Sequence, residues 1–152
     1  MMIDVLDRFL EQAKIQPKHP AVVAGNDVVT YSELNRLTRR IGAEIALKGE
    51  AQRVLIYLPQ GHQAYSSMLG TLLAGGYYSP ANISAPSKLQ EQIFRRFEPD
   101  LVITSAQYSK GLEVYINKDS IIEVEDISSE ELSESKASHE IAYVIFTSGS
   151  TG

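Results

Sequence analysis

The sequence predicts an α/β protein with a largely parallel sheet flanked by helices. Stretches with apolar residues at helical spacing alternate along the chain with short runs of β-forming residues. Two of those runs, RVLIYLP and IAYVIF, are apolar at nearly every position, as expected of strands covered on both faces. An alternation of such strands with helices is the pattern of βα units rather than of a sandwich or a bundle.

The elements follow in order. From Met1 to Gln16 the apolar residues Ile3, Val5, Leu6, Phe9, Leu10 and Ala13 fall on one side, opposite Asp4, Asp7 and Glu11. That spacing predicts an amphipathic helix, closed by Pro17. AVVAGNDVVTY holds two short β-prone runs around Gly25-Asn26-Asp27, which is hairpin turn chemistry. Thr30 and Glu33 have the spacing of a capping box, so a helix starts there; Leu34, Leu37, Ile41 and Ile45 share its face and Gly49 can stop it. RVLIYLP is the next strand, ended by Pro59. Helical spacing returns from His62 to Ala74, and Gly75-Gly76 ends it before a short extended piece from Tyr77 to Pro80. Pro86 suits a first helical turn, and Leu89, Ile93 and Phe97 mark that helix up to Pro99. LVITS is a strand. Beyond it VYIN and IIEVEDI are candidate short strands, SSEELSESKASHE is a polar surface connection, and IAYVIF is a central strand.

Composition excludes several classes. The chain has 152 residues, enough for one domain burying roughly 70% of its unfolded surface. Nineteen acidic against fourteen basic residues give a net charge of −5, and the basic residues never cluster beyond Arg39-Arg40 and Arg95-Arg96. Nucleic-acid and anionic-membrane surfaces need a concentrated positive face, so neither is predicted. The absence of cysteine removes disulfides, thiolate zinc sites and a cysteine nucleophile, and fits a reducing cytoplasm. No segment approaches the ~18 apolar residues of a membrane span, and MMIDVLDRFLEQ carries acids where a signal peptide is basic. A cytoplasmic protein is the simplest expectation.

One stretch carries chemistry. TSGSTG, residues 147–152, places four hydroxyls and two glycines in six positions directly behind IAYVIF. Glycines let successive backbone N–H groups converge on an anion, and hydroxyls add neutral donors, which suits a polyphosphate. The stretch is neither a Walker A loop, since no lysine follows, nor G-x-G-x-x-G, since only Gly149-x-x-Gly152 exists. By composition alone a flexible Ser/Gly tail is the competing reading.

YVIFTSGSTG resembles the phosphate-loop signature of adenylate-forming enzymes, the superfamily of nonribosomal peptide synthetase adenylation domains, acyl-CoA synthetases and luciferases. VVTYSELNRLTRRIGAEI is similar to the first core motif of that family, and LGTLLAGGYYSPANISAP to its second. The likeness runs from about Ile3 to Gly152, and its wording is nearer the amino-acid-activating branch. At YYSPANISAP the chain has Asn82 near where many relatives carry an aspartate, and Ser79 where valine or isoleucine is frequent. The resemblance implies that Thr147, Ser148, Gly149, Ser150, Thr151 and Gly152 hold the β- and γ-phosphates of ATP while a carboxylate attacks the α-phosphorus, giving an acyl adenylate and pyrophosphate. It further implies Mg2+, an amino acid substrate and possible loading of a carrier protein. In the family the loop runs on to a proline and a lysine, and later motifs hold adenine, magnesium and substrate. The chain is therefore expected to be the N-terminal portion, residues 1–152, of a truncated or naturally split adenylating enzyme, inactive alone. An acyl or aryl acid ligase of the same superfamily and a non-catalytic scaffold module are the alternatives.

Other residues have plainer readings. His19, His62 and His139 lack partners at metal-ligand spacing. Glu123, Glu125, Asp126, Glu130, Glu131 and Glu134 read as a solvated acidic connection, Tyr77-Tyr78 as structural packing, and both arginine pairs as exposed helix charges.

Overall fold

The computed structural model describes residues 5–50 and 52–132. A first helix, α1 (Val5–Ile15), leads into a hairpin of β1 (Pro20–Ala24) and β2 (Asp27–Thr30). The strands pair Ala24 with Asp27, so Gly25 and Asn26 form the turn, and Gly25 takes φ +62°. Helix α2 (Tyr31–Lys48) begins at the predicted capping box: Thr30 Oγ1 accepts from the Glu33 N–H at 3.2 Å, and the Thr30 N–H donates to Glu33 at 3.4 Å. Such a cap contributes about 1 kcal/mol. Gly49, at φ 144°, ends the helix.

Four parallel strands follow: β3 (Arg53–Ile56), β4 (Tyr77–Pro80), β5 (Leu101–Thr104) and β6 (Ile121–Glu123), in the spatial order β4-β3-β5-β6. Helix α3 (His62–Leu73) joins β3 to β4, and α4 (Ser87–Phe97) carries the chain from β4 across to β5. Alternate strand residues face opposite layers. Val54, Ile56, Leu101, Ile103 and Ile122 pack with Ile41 and Ile45 of α2 and Ala64 of α3. Leu55, Tyr57 and Val102 pack with Phe94 and Phe97 of α4. The sheet is covered on both faces, as the uninterrupted apolar strands predict. A third cluster joins Leu6 and Phe9 of α1 to Leu34, Leu69, Leu72 and Leu73, with Val22 and Val29 of the hairpin against it.

Gly75 and Gly76 have separate reasons. Gly75 holds φ +85° where α3 stops, a conformation that favours glycine. A Cβ on Gly76 would lie 2.4 Å from the Gln52 carbonyl oxygen, the same atom that accepts the Tyr77 N–H at 3.1 Å. β4 can enter beside β3 only because this residue has no side chain. Gly70 plays a similar part between helices, since its Cβ would meet the Thr38 carbonyl at 2.9 Å.

Two sequence expectations change. VYIN is not a strand: residues Leu112–Val114 form a 3-10 turn, and the chain turns again at Lys118–Ser120. Tyr115 stacks on Phe94 at 4.7 Å, so its ring fills the α4 layer rather than extending the sheet. IIE does form a strand, β6, and Val124–Asp126 form a further 3-10 turn. The second change concerns Arg39 and Arg40, which are not free helix charges. Arg39 Nη1 donates to the Leu132 carbonyl at 2.8 Å, and Arg40 Nη2 to the Ile127 carbonyl at 2.8 Å. The predicted strand IAYVIF and the loop TSGSTG lie outside the described residues.

Candidate functional site

In open parallel sheets ligands sit beyond the carboxyl ends of the strands, beside the point where the winding direction reverses. Here the chain winds from β3 outward to β4 and returns past β3 to β5, so the reversal lies between β3 and β5. That edge is tightly built. The Tyr57 N–H donates to the Ile103 carbonyl at 2.8 Å, and the Thr104 hydroxyl returns a bond to the Tyr57 carbonyl at 2.7 Å. Burial pushes the Tyr57 phenol above its ordinary value; a hydrogen bond with Gln90 acts the other way, and Tyr115 adds a smaller upward push. The Gln90 amide itself donates to the carbonyls of Ala85 and Ile83, at 3.0 and 3.3 Å, tying the loop before α4 to that helix.

Next to this edge a cleft of about 570 Å³ opens between the ends of β3 and β4 and the first turns of α3. Ile56, Leu58, Ala64 and Met68 give it an apolar floor, and Gln60 and Asn82 stand among its lining residues. Asn82 shapes its own loop, accepting the Ser84 N–H at 3.0 Å. The volume is that of a small-molecule site. None of the described residues that line it is charged, so what they offer suits an apolar group rather than a polyphosphate.

The acidic residues among those described are dispersed. Glu123 accepts from the Ser109 hydroxyl at 2.6 Å, Glu125 from the Ala106 N–H at 2.8 Å, and Glu131 pairs with Arg36 at 3.2 Å. Each is a local tie rather than part of a cation site. Among the described residues no group of three His, Asp or Glu could hold a metal ion, so they offer Mg2+ no ligand set. His19 lies against Tyr31, ring centroids 6.3 Å apart. Tyr77 packs edge-on against Phe97 at 6.0 Å, and Tyr78 lies against two apolar clusters, which is the structural role the sequence suggested. No helix among the described residues is long and apolar enough to cross a membrane.

Thr147, Ser148, Gly149, Ser150, Thr151 and Gly152 lie outside the described residues. The described part contributes the sheet edge and the apolar cleft, and two of the three motif stretches prove to be architectural. VVTYSELN supplies a helix cap, and LAGGYYSP supplies a helix stop and a close strand entry. Residues 9–152 match the AMP-binding enzyme family.

The chain belongs to that family. Among curated members of similar sequence are a nonribosomal peptide synthetase, TES, of Alternaria alternata, 31% identical over 97% of this chain, and enniatin synthetase of Fusarium oxysporum, 31% identical over 99%. The chain spans only 3% and 5% of those two proteins. The crystal structure of the nonribosomal peptide synthetase FmoA3 superposes with a TM-score of 0.85 at 26% identity, covering 96% of this chain and 16% of that one. The fold is also shared with o-succinylbenzoate CoA synthetase of Bacillus subtilis, at TM-score 0.80 and 19% identity, covering 95% of this chain and 39% of that one. This member of the AMP-binding family thus has the α/β fold of adenylate-forming enzymes.

Proposed function

We propose that the chain is the N-terminal part, residues 1–152, of an ATP-dependent ligase that activates an amino acid as its aminoacyl adenylate and passes it to a carrier protein. The observation that carries this reading is TSGSTG directly behind IAYVIF in a chain of the AMP-binding family. FmoA3 supports it further, since its structures include an AMPPNP-bound form and an α-methyl-L-serine-AMP-bound form. In this reading the hydroxyls of Thr147, Ser148, Ser150 and Thr151 and the amides at Gly149 and Gly152 take the β- and γ-phosphates. A substrate carboxylate oxygen then forms a bond to the α-phosphorus and the bond to pyrophosphate breaks. The protein contributes position and charge stabilisation rather than covalent chemistry. ATP arrives with Mg2+, whose charge the hydroxyls and amides alone do not replace. The reaction runs in the cytoplasm.

ATP–pyrophosphate exchange tests the proposal. The complete protein is expected to exchange with one amino acid or a few, and residues 1–152 alone to stay at background. Exchange that responds only to aryl or fatty acids replaces the amino acid by another carboxylate. No exchange with any acid overturns the enzymatic reading, and exchange by the isolated chain overturns its dependence on the remainder.

A further inference from the structure

β6 is the last described strand on its side of the sheet. In a parallel ladder one residue turns both main-chain groups to one neighbouring strand, and the next residue turns them to the other. The Ile103 carbonyl accepts the Tyr57 N–H at the end of β3, so Val102 and Thr104 face β6. The register then turns the main chain of Ile122 toward β5 and that of Ile121 and Glu123 away from it. The Ile121 N–H donates to the Lys118 carbonyl, while the Ile121 carbonyl and the main-chain groups of Glu123 have no described strand to meet.

A recess of about 280 Å³ lies along β6, with Ile121 and Ile127 among its lining residues. Its charged side chains are of two kinds. Lys48, Glu44 and Glu123 are engaged, with the Asp119 carbonyl, the Ser129 hydroxyl and the Ser109 hydroxyl. The side chains of Lys110, Lys118, Glu113 and Asp126 line the same recess and make neither a hydrogen bond nor an ion pair among the described residues. Opposite charges that share a small space and stay apart suit a third group that carries both signs. An ion of one sign would meet repulsion from half of them. The volume lies just under the roughly 300–1,000 Å³ of drug-sized sites, so it fits a smaller molecule.

We propose that this recess binds a small zwitterion, an α-amino acid with an apolar side chain. Lys110 and Lys118 serve its carboxylate, Glu113 and Asp126 its ammonium, and Ile121 and Ile127 its side chain. The outward Ile121 carbonyl and Glu123 N–H offer it the bonds that an added strand would use. The recess shares no lining residue with the apolar cleft, and the inference does not rest on the proposed function.

L-Leucine is the probe, set against isocaproate, which lacks the ammonium, and isoamylamine, which lacks the carboxylate. Amide hydrogen exchange on the full protein, read by mass spectrometry, locates the binding. Peptides covering 118–127 are expected to exchange about tenfold more slowly with leucine at about ten times its Kd, itself on the order of 1 mM. Neither analogue at that concentration should slow them. In K110A/K118A the protection is expected to disappear, and E113Q/D126N should abolish it from the other side with little change of shape. All four residues are exposed, and both variants are expected to keep the wild-type circular dichroism. Absence of protection at 118–127 in the wild type overturns the proposal. So does protection that either analogue matches, or that survives both double variants.

Discussion

Residues 53–104 and residues 106–132 lie side by side in the same sheet and are held by different means. The first stretch is assembled by periodicity: apolar strands, helices of matching spacing and a ladder of backbone bonds between neighbours. Its critical contacts are approaches of bare backbone, as at Gly76 under the Gln52 carbonyl. The second stretch has one three-residue strand and three 3-10 turns, and side chains from elsewhere fasten it: Arg39, Arg40 and Glu44 of α2, and Lys48, whose ammonium donates to the Asp119 carbonyl at 3.1 Å. The difference separates a stretch that organises itself from one that is organised by a helix behind it.

Substitution should fall hardest on the first kind of contact. Gly76→Val places a branched side chain against a carbonyl that cannot retreat without breaking its bond to Tyr77, and the expected loss is about 3 kcal/mol, read as a lower urea midpoint. An unchanged midpoint would mean that β4 can enter the sheet by another path. Tyr57 gives an intermediate effect with a defined direction. The fold favours its neutral phenol, so the folded value lies above the ordinary 10.0. Between the two values the folded protein keeps a proton that the unfolded chain has released. Stability is therefore intact below pH 10 and falls as pH rises through the folded value. Tyr57→Phe should flatten that fall relative to wild type in parallel denaturant titrations, and identical slopes would remove Tyr57 as its cause. The smallest effect belongs to Arg36→Ala. Its pair with Glu131 has side chains 77% and 46% exposed, and its loss should change stability by no more than about 0.5 kcal/mol. A larger loss would show that this arginine also shares in holding residues 127–132.

Most of the first stretch could be read from residues alone. The apolar spacing of α2, α3 and α4, the Thr30-Glu33 cap and the continuous apolar run of β3 all announce their structure locally. The glycine pair was legible as a stop but not as a close approach, because the partner, Gln52, lies on another strand's threshold. VYIN misled since a β-prone run of four cannot reveal that Tyr115 has an aromatic partner in Phe94. Arg39-Arg40 misled for a similar reason. Arginines off the apolar stripe of a helix look alike in sequence whether they meet water or a carbonyl some ninety residues away. For the site, the phosphate role proposed for Thr147–Gly152 rests on composition and resemblance and lies outside the described residues, whereas the apolar cleft had no signal in the sequence. Its floor joins residues of β3 and α3 whose meeting depends on the sheet's winding order.

Because the guanidinium groups of α2 hold main-chain oxygen atoms, which every amino acid carries, these ties to residues 127–132 do not depend on the side chains there. The burial of Ile127 and the Ser129 hydroxyl on Glu44 do depend on them. A substitution at Ser128 or Glu130 leaves the arginine ties in place, whereas one at Arg39 or Arg40 removes them. The path of residues 127–132 is thus written partly in a helix that precedes it by some ninety residues.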